Sequence, residues 1–147
     1  MYLHRGKYRL SKVECWNLDH TLAKVIFDSL CQFKVLERYG YPNKIFDIVK
    51  AKHNDTDNTE NNGKYDKECI ELWEKNIDDM IFSFKEISTD YKNSPFFLDF
   101  EKNYGKIPQD KSDKTKEDEI LKQEKEYRDR VSHGLQLFSE YFQALWD

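Results

Sequence analysis

LDHTLAKVIFDSLCQFKVL, residues 18–36, is the stretch that decides the fold. Leu18, Leu22, Val25/Ile26, Ser29/Leu30, Phe33 and Leu36 recur at spacings of three and four, which is the repeat of a helix with one apolar stripe. Asn17 or Asp19 can cap its start, and Ser11-Lys-Val-Glu14 has the capping-box spacing that marks an earlier one. Gly40 and then Pro42 stop it, because one favours a helix terminus and the other cannot continue a helix.

Working outward, Lys44 to His53 reads as a short helix with Ile45, Phe46, Ile48 and Val49 on its apolar side. NDTDNTENNG, residues 54–63, has almost nothing to bury and reads as a loop. A second long helix is predicted from about Asp66 to Thr89, with Ile70, Trp73, Ile77, Met80/Ile81, Phe84 and Ile87 at helical spacing. Residues 92–115 form a long connection. Its first part, SPFFLDF, is apolar enough to pack on the helices through Phe96, Phe97, Leu98 and Phe100, while Gly105 and Pro108 punctuate a polar second part. A third long helix is predicted from about Lys116 to Trp146, with a stripe of Ile120, Glu124, Tyr127, Val131, Leu135, Phe138, Phe142 and Leu145. Its first turns are charged and should project from the core, and Trp146 in the last turn should be docked.

No stretch reads convincingly as a strand and no internal repeat is visible. The expectation is therefore one all-α domain over residues 1–147. It is a helical bundle of three long helices plus short helices, with mobile polar loops near 54–65 and 103–116. Residues 1–13 read as a short arm, or as a first turn packed by Tyr2, Leu3, Tyr8 and Leu10.

Composition narrows the functional classes. An aromatic content of 15% is too high for a disordered chain, and 35% charged residues give a heavily solvated surface. The net charge of -4 argues against an extended nucleic acid as partner, since such binders carry a clear basic excess. Cys15, Cys31 and Cys69 are few and far apart, without CxxC or Cys/His metal spacing, as expected of thiols in a reducing compartment. The first residues, MYLHRGKYRL, lack an apolar leader, and no run approaches the ~20 apolar residues of a membrane helix. No membrane partner and a cytoplasmic location are therefore expected.

Two basic groups are candidate anion contacts: Arg5, Lys7 and Arg9 near the start, and Arg128, Arg130 and His133 on the last helix. Arg130 and His133, three apart, share a face, and Arg128 is displaced from it. Guanidinium groups grip phosphate in a bidentate way, and Tyr8 or Trp16 could stack on a base. The candidate ligand set is therefore Arg5, Lys7, Arg9, Trp16, Arg130 and His133. Gly134, beside them, costs a helix about 1 kcal/mol relative to alanine and marks a close approach of another backbone, a ring or a ligand. The plainer reading of that glycine is tight helix packing.

Carboxylates offer an alternative. Glu71-Leu-Trp-Glu74 and Glu126-Tyr-Arg-Asp129 have the ExxE and ExxD spacing with which all-α nucleotide pyrophosphatases hold magnesium on neighbouring helices. The gap between the two pairs is longer than in those enzymes, and solvated helix faces are the better explanation of the letters. Asp19-His20 reverses the order of an HD-type metal motif and reads as a cap. There is no GxSxG, P-loop or GxGxxG, and no catalytic residue or cofactor is assigned.

Three segments carry a resemblance. They are residues 16–26 (WNLDHTLAKVI) with Gly40-Tyr-Pro42, residues 73–84 (WEKNIDDMIFSF) and residues 130–146 (RVSHGLQLFSEYFQALW). Together they resemble a family of small, uncharacterised phage-encoded helical proteins, with a W-x-L-D opening, a W-x-x-x-x-D-x-M-I-x-x-F middle and a G-L-x-L-F-x-x-Y-F-x-x-L-W ending. The resemblance covers the long helices, roughly half the chain, and departs at His133, where that family often has an acid. It implies a phage setting and supplies no catalytic residues.

Three functions fit. The first is a non-enzymatic phage accessory protein in the host cytoplasm, such as a host-defence inhibitor that sequesters a nucleotide or other phosphorylated small molecule, or blocks a host protein. The second is a magnesium-dependent nucleotide pyrophosphohydrolase using Glu71, Glu74, Glu126 and Asp129. The third is a structural homo-oligomer held by aromatic-rich helices.

Overall fold

A computed structural model describes residues 1–37, 40–55, 63–104 and 114–145. The chain is mostly helical, with one small sheet. Strands β1 (Tyr2–His4) and β2 (Lys7–Arg9) precede helices α1 (Lys12–Trp16), α2 (Leu18–Val35), α3 (Asn43–Lys52), α4 (Asp66–Ser88), α5 (Pro95–Asn103) and α6 (Lys114–Tyr141), and a short 3₁₀ turn spans Phe142–Ala144. No described helix is long and apolar enough to cross a membrane.

Helix α4 is the axis. It packs against α2 on one flank and α6 on another, while α3 also docks on α4, α5 on α6 and α1 on α2. This explains why α4 buries residues over a wide arc: Cys69, Trp73, Ile77, Met80, Phe84 and Ile87 are its apolar share, and Asn76, Ser83 and Glu86 its polar one. Each fully buried aliphatic or aromatic side chain contributes roughly 1.5–3 kcal/mol. Trp73 meets Tyr141 edge-on at 5.2 Å, and Phe84 meets Phe138 at 4.7 Å. The α4–α6 seam has no room for a side chain at Gly134, where a Cβ would overlap Ser83 Oγ and the Asp79 carbonyl oxygen. Tight packing is therefore the reading of Gly134 that the geometry supports.

Three expectations are corrected. The first is the absence of strands. Tyr2–His4 and Lys7–Arg9 form an antiparallel hairpin with Tyr2 opposite Arg9, Leu3 opposite Tyr8 and His4 opposite Lys7. Arg5 and Gly6 turn the chain with φ of 49° and 73°, the two positive values of a type I′ turn. Three-residue strands are too short to display a period of two, so composition hid them.

The second correction concerns which face packs. Leu18, Leu22, Val25 and Leu36 on α2 and the following turn are exposed, whereas Ile26, Leu30 and Phe33 of the expected stripe do face the core, joined by Ala23 and Phe27. On α6 the buried residues are Glu124, Val131, Gly134, Leu137 and Tyr141, whereas Leu135, and Phe142 in the turn that follows, face solvent. Ile77 is fully buried and Phe138 half-buried, but Trp16 is 92% exposed. Both helices carry more apolar residues than one seam can cover, and the backbones approach where the residues are small, at Ala23 and Gly134.

The third is the stretch after α4. SPFFLDF is a capped helix, with Ser94 Oγ accepting from Phe97 N at 3.2 Å and Pro95 at the first helical position. It rests on α6, yet Phe96, Leu98 and Phe100 remain exposed. The expected docking of Trp146 and most of the two expected polar loops lie outside the described residues.

Candidate functional site

The first 16 residues form an arm whose chemistry differs from the rest of the chain. Four of the 24 Lys and Arg residues and none of the 28 acids fall in residues 1–13, so this stretch carries +4 and the remainder -8. The hairpin register puts Tyr2, His4, Lys7 and Arg9 on one face and Leu3 with Tyr8 on the other. All six strand residues are exposed, as are Arg5, Lys12, Val13 and Trp16.

Glu14 is the nearest acid, and it is occupied. Its carboxylate pairs with the Met1 ammonium and accepts from Ser11 N at 2.7 Å, while Ser11 Oγ accepts from Glu14 N at 3.2 Å. This is the reciprocal capping box that the sequence spacing predicted. Thr21 Oγ1 donates to the Glu14 carbonyl and ties the arm to α2. Arg5, Lys7 and Arg9 make no ion pair among the described residues, so their charge faces water.

Arg130 and His133 do not join this arm. The hairpin makes no packing contact with α6, and α2, which carries the arm, does not touch α6 among the described residues. Arg130 is held at the α4–α6 seam, with its guanidinium 3.8 Å from the Phe82 ring centroid and Nη2 3.5 Å from Asp79 Oδ1. His133 is exposed on α6. The structure thus places Arg5, Lys7 and Arg9 on the hairpin and Trp16 at the end of α1, all exposed, and leaves Arg130 and His133 elsewhere.

The four carboxylates of the magnesium reading are not brought together either. Helices α4 and α6 run antiparallel, since Trp73 meets Tyr141 while Glu86 meets Tyr127. Glu74 therefore lies roughly ten residues along the seam from the level of Asp129, about 15 Å at 1.5 Å per residue. Glu71 pairs with Lys67 and Glu126 with Lys122 at 3.9 and 4.0 Å, both along their own helices. Among the described residues no cluster of three metal-ligating side chains occurs. His20 Nε2 lies 3.7 Å from Asp19 and 3.6 Å from Asp90, an ion pair only when the imidazole is protonated.

A second polar region, not expected from the sequence, lies where α4, α5 and α6 meet. Glu86 is 2% exposed and accepts from Tyr127 Oη at 2.7 Å and from Asn93 Nδ2 at 3.1 Å to each oxygen. Burial, and then the hydrogen bond to Glu86, pushes the Tyr127 phenol above the usual tyrosine range. Glu124, 6% exposed, accepts from Arg128 Nε at 2.7 Å and from Phe96 N at 3.2 Å, so its charge sits at the positive N-terminus of α5. The hydrogen bond that Arg128 donates to Glu124 raises the Arg128 pKa. Asp90 and Tyr91 turn the chain between α4 and α5 with φ of 57° and 56°, the left-handed region that non-glycine residues rarely adopt. Asp90, Tyr91, Ser94, Phe96, Phe97, Phe100 and Arg128 line a groove of about 360 Å³. One signal was legible: Glu124 falls on the apolar stripe of α6, and a buried carboxylate there requires a partner such as Arg128 one turn on.

Comparison with protein-family models, curated proteins and solved structures returns no match to this chain.

Proposed function

We propose that this chain is a phage-encoded accessory protein that acts in the host cytoplasm by binding, with the N-terminal arm as its contact surface. The observation that carries the reading is the arm itself: Arg5, Lys7 and Arg9, which make no ion pair among the described residues, with Trp16 92% exposed at the end of α1. Tyr2, Leu3, Tyr8, Val13 and Trp16 leave several large apolar side chains open on this stretch, more than a scattered single exposure. A nucleotide signal has the matching chemistry, since its phosphates suit the guanidinium groups and its base suits an indole or phenol face. Sequestering such a signal would inhibit a host defence that depends on it. Arg130 does not belong to this contact, because Asp79 and Phe82 already engage it.

Thermal-shift screening of the chain against linear and cyclic nucleotides tests the proposal. A ligand at 100 times its dissociation constant adds about 2.7 kcal/mol of stability. The triple change Arg5→Ala, Lys7→Ala, Arg9→Ala should abolish that shift. No stabilisation by any nucleotide removes the nucleotide version.

A homo-oligomer is a second reading, favoured by the outward apolar row of Leu18, Leu22 and Val25 on α2. Sedimentation equilibrium decides it, since a dimer should dissociate on Leu22→Glu and a concentration-independent monomer mass excludes it.

A further inference from the structure

We propose that the groove between α5 and α6 binds the carboxylate end of a peptide whose last residue is aromatic or large and aliphatic, with Arg128 as its anchor. No residue of the arm lines this groove.

Arg128 is held as a fixed fork. Its Nε donates to Glu124 at 2.7 Å and its guanidinium lies 4.2 Å from the Tyr91 ring centroid. Nη1 and Nη2 make no hydrogen bond among the described residues. One edge and one face of the guanidinium are therefore fixed, and the end that matches two oxygens of a planar anion is open. Glu124 is buried and also holds the first turn of α5, so the fork and the apolar helix beside it are positioned by the same carboxylate.

The surroundings choose the anion. Asp90 lines the same groove and Glu124 stands behind Arg128, so two acids face one cation. The three charges sum to -1 before a ligand arrives, so added negative charge is opposed, and a carboxylate bearing one charge is opposed less than a phosphate bearing two. Asp90 can also accept the N–H of the terminal amide, which a peptide end supplies. The volume of about 360 Å³ is at the small end of ligand sites and suits one side chain with its carboxylate. Phe96 and Phe100 form the apolar wall and remain open to solvent, which leaves a path for the rest of a chain.

Fluorescence polarisation of the full chain with a labelled Gly-Gly-Ser-Phe peptide, as free acid and as C-terminal amide, tests the proposal. The acid should bind at least tenfold more tightly than the amide, a difference of about 1.4 kcal/mol. Arg128→Met should erase the preference, Arg128→Lys should reduce it, and Phe100→Ala should weaken both peptides alike. If Arg128→Met does not fold, the wild-type comparison and Arg128→Lys decide. Equal binding of acid and amide, or no binding of either, overturns the proposal. So does stronger Arg128-dependent binding of ATP, which would make this a phosphate site, or equal binding of N-acetylphenylalanine, which would make it a small-molecule site.

Discussion

Gly134 on α6 lies directly against Ser83 on α4, with Ser83 Oγ also donating to the Asp79 carbonyl at 3.0 Å and approaching the Arg130 carbonyl at 3.5 Å. The serine hydroxyl fills the space that a side chain on Gly134 would need. Two helices meet here almost backbone to backbone, and both sides of the contact are small residues.

Gly134→Ala should therefore destabilise the chain although it improves helix propensity by about 1 kcal/mol. The added methyl overlaps a backbone oxygen, which cannot rotate away, so α4 and α6 must separate and unpack Trp73 from Tyr141. A net loss of about 1–3 kcal/mol is expected, read by urea denaturation. Equal or greater stability would show that the seam is not closed at this point.

Tyr127→Phe should cost about 1–3 kcal/mol, because it removes the phenol that donates to a buried carboxylate and leaves Asn93 as the remaining donor to Glu86. Adding Glu86→Leu to Tyr127→Phe should recover part of that loss, since a buried charge is then no longer short of a partner. A double-mutant cycle in chemical denaturation measures the coupling, and strictly additive losses would contradict it.

Alkaline pH should weaken the fold. Burial, and then the neighbouring Glu140 charge, pushes the Tyr141 phenol up to about 12, whereas an unfolded tyrosine titrates near 10. Between those values the folded chain binds the extra proton, so stability is fully present below about pH 10 and falls as pH rises toward 12. Tyr127 acts in the same direction. Denaturation midpoints between pH 9 and about pH 11.5 should show the decline, and Tyr141→Phe should make it shallower; an unchanged slope would rule out this linkage.

Neutralising the arm should leave folding alone. Arg5, Lys7 and Arg9 are exposed and make no ion pair among the described residues, so replacing all three by alanine should change stability by within about 0.5 kcal/mol per site. Circular-dichroism melting checks this, and a large drop would mean that the hairpin supports the helices rather than projecting from them.

How far the sequence reached differs from element to element. The extent of α4 follows from its apolar repeat, and the Ser11–Glu14 capping box and the short helix before His53 from their local patterns. Such features depend on residues three or four apart, which a helix places side by side whatever surrounds it. The outward-facing Leu18, Leu22 and Val25 could not be read the same way, because α2 has a second apolar row and only the fit of Ala23 and Leu30 to α4 selects between them. The hairpin was hidden by its brevity, and its single clue was Arg5-Gly6.

The sequence by itself determined the mostly helical character of the chain, the Ser11–Glu14 cap and the basic character of the first 13 residues, because each is a property of neighbours along the chain. Only the tertiary structure decided that Arg130 serves the α4–α6 seam, that the carboxylate pairs stay apart, and that Glu124, Arg128 and Tyr91 meet. These depend on the relative register of helices far apart in sequence, and that register is fixed by where Gly134 and Ser83 let two backbones touch.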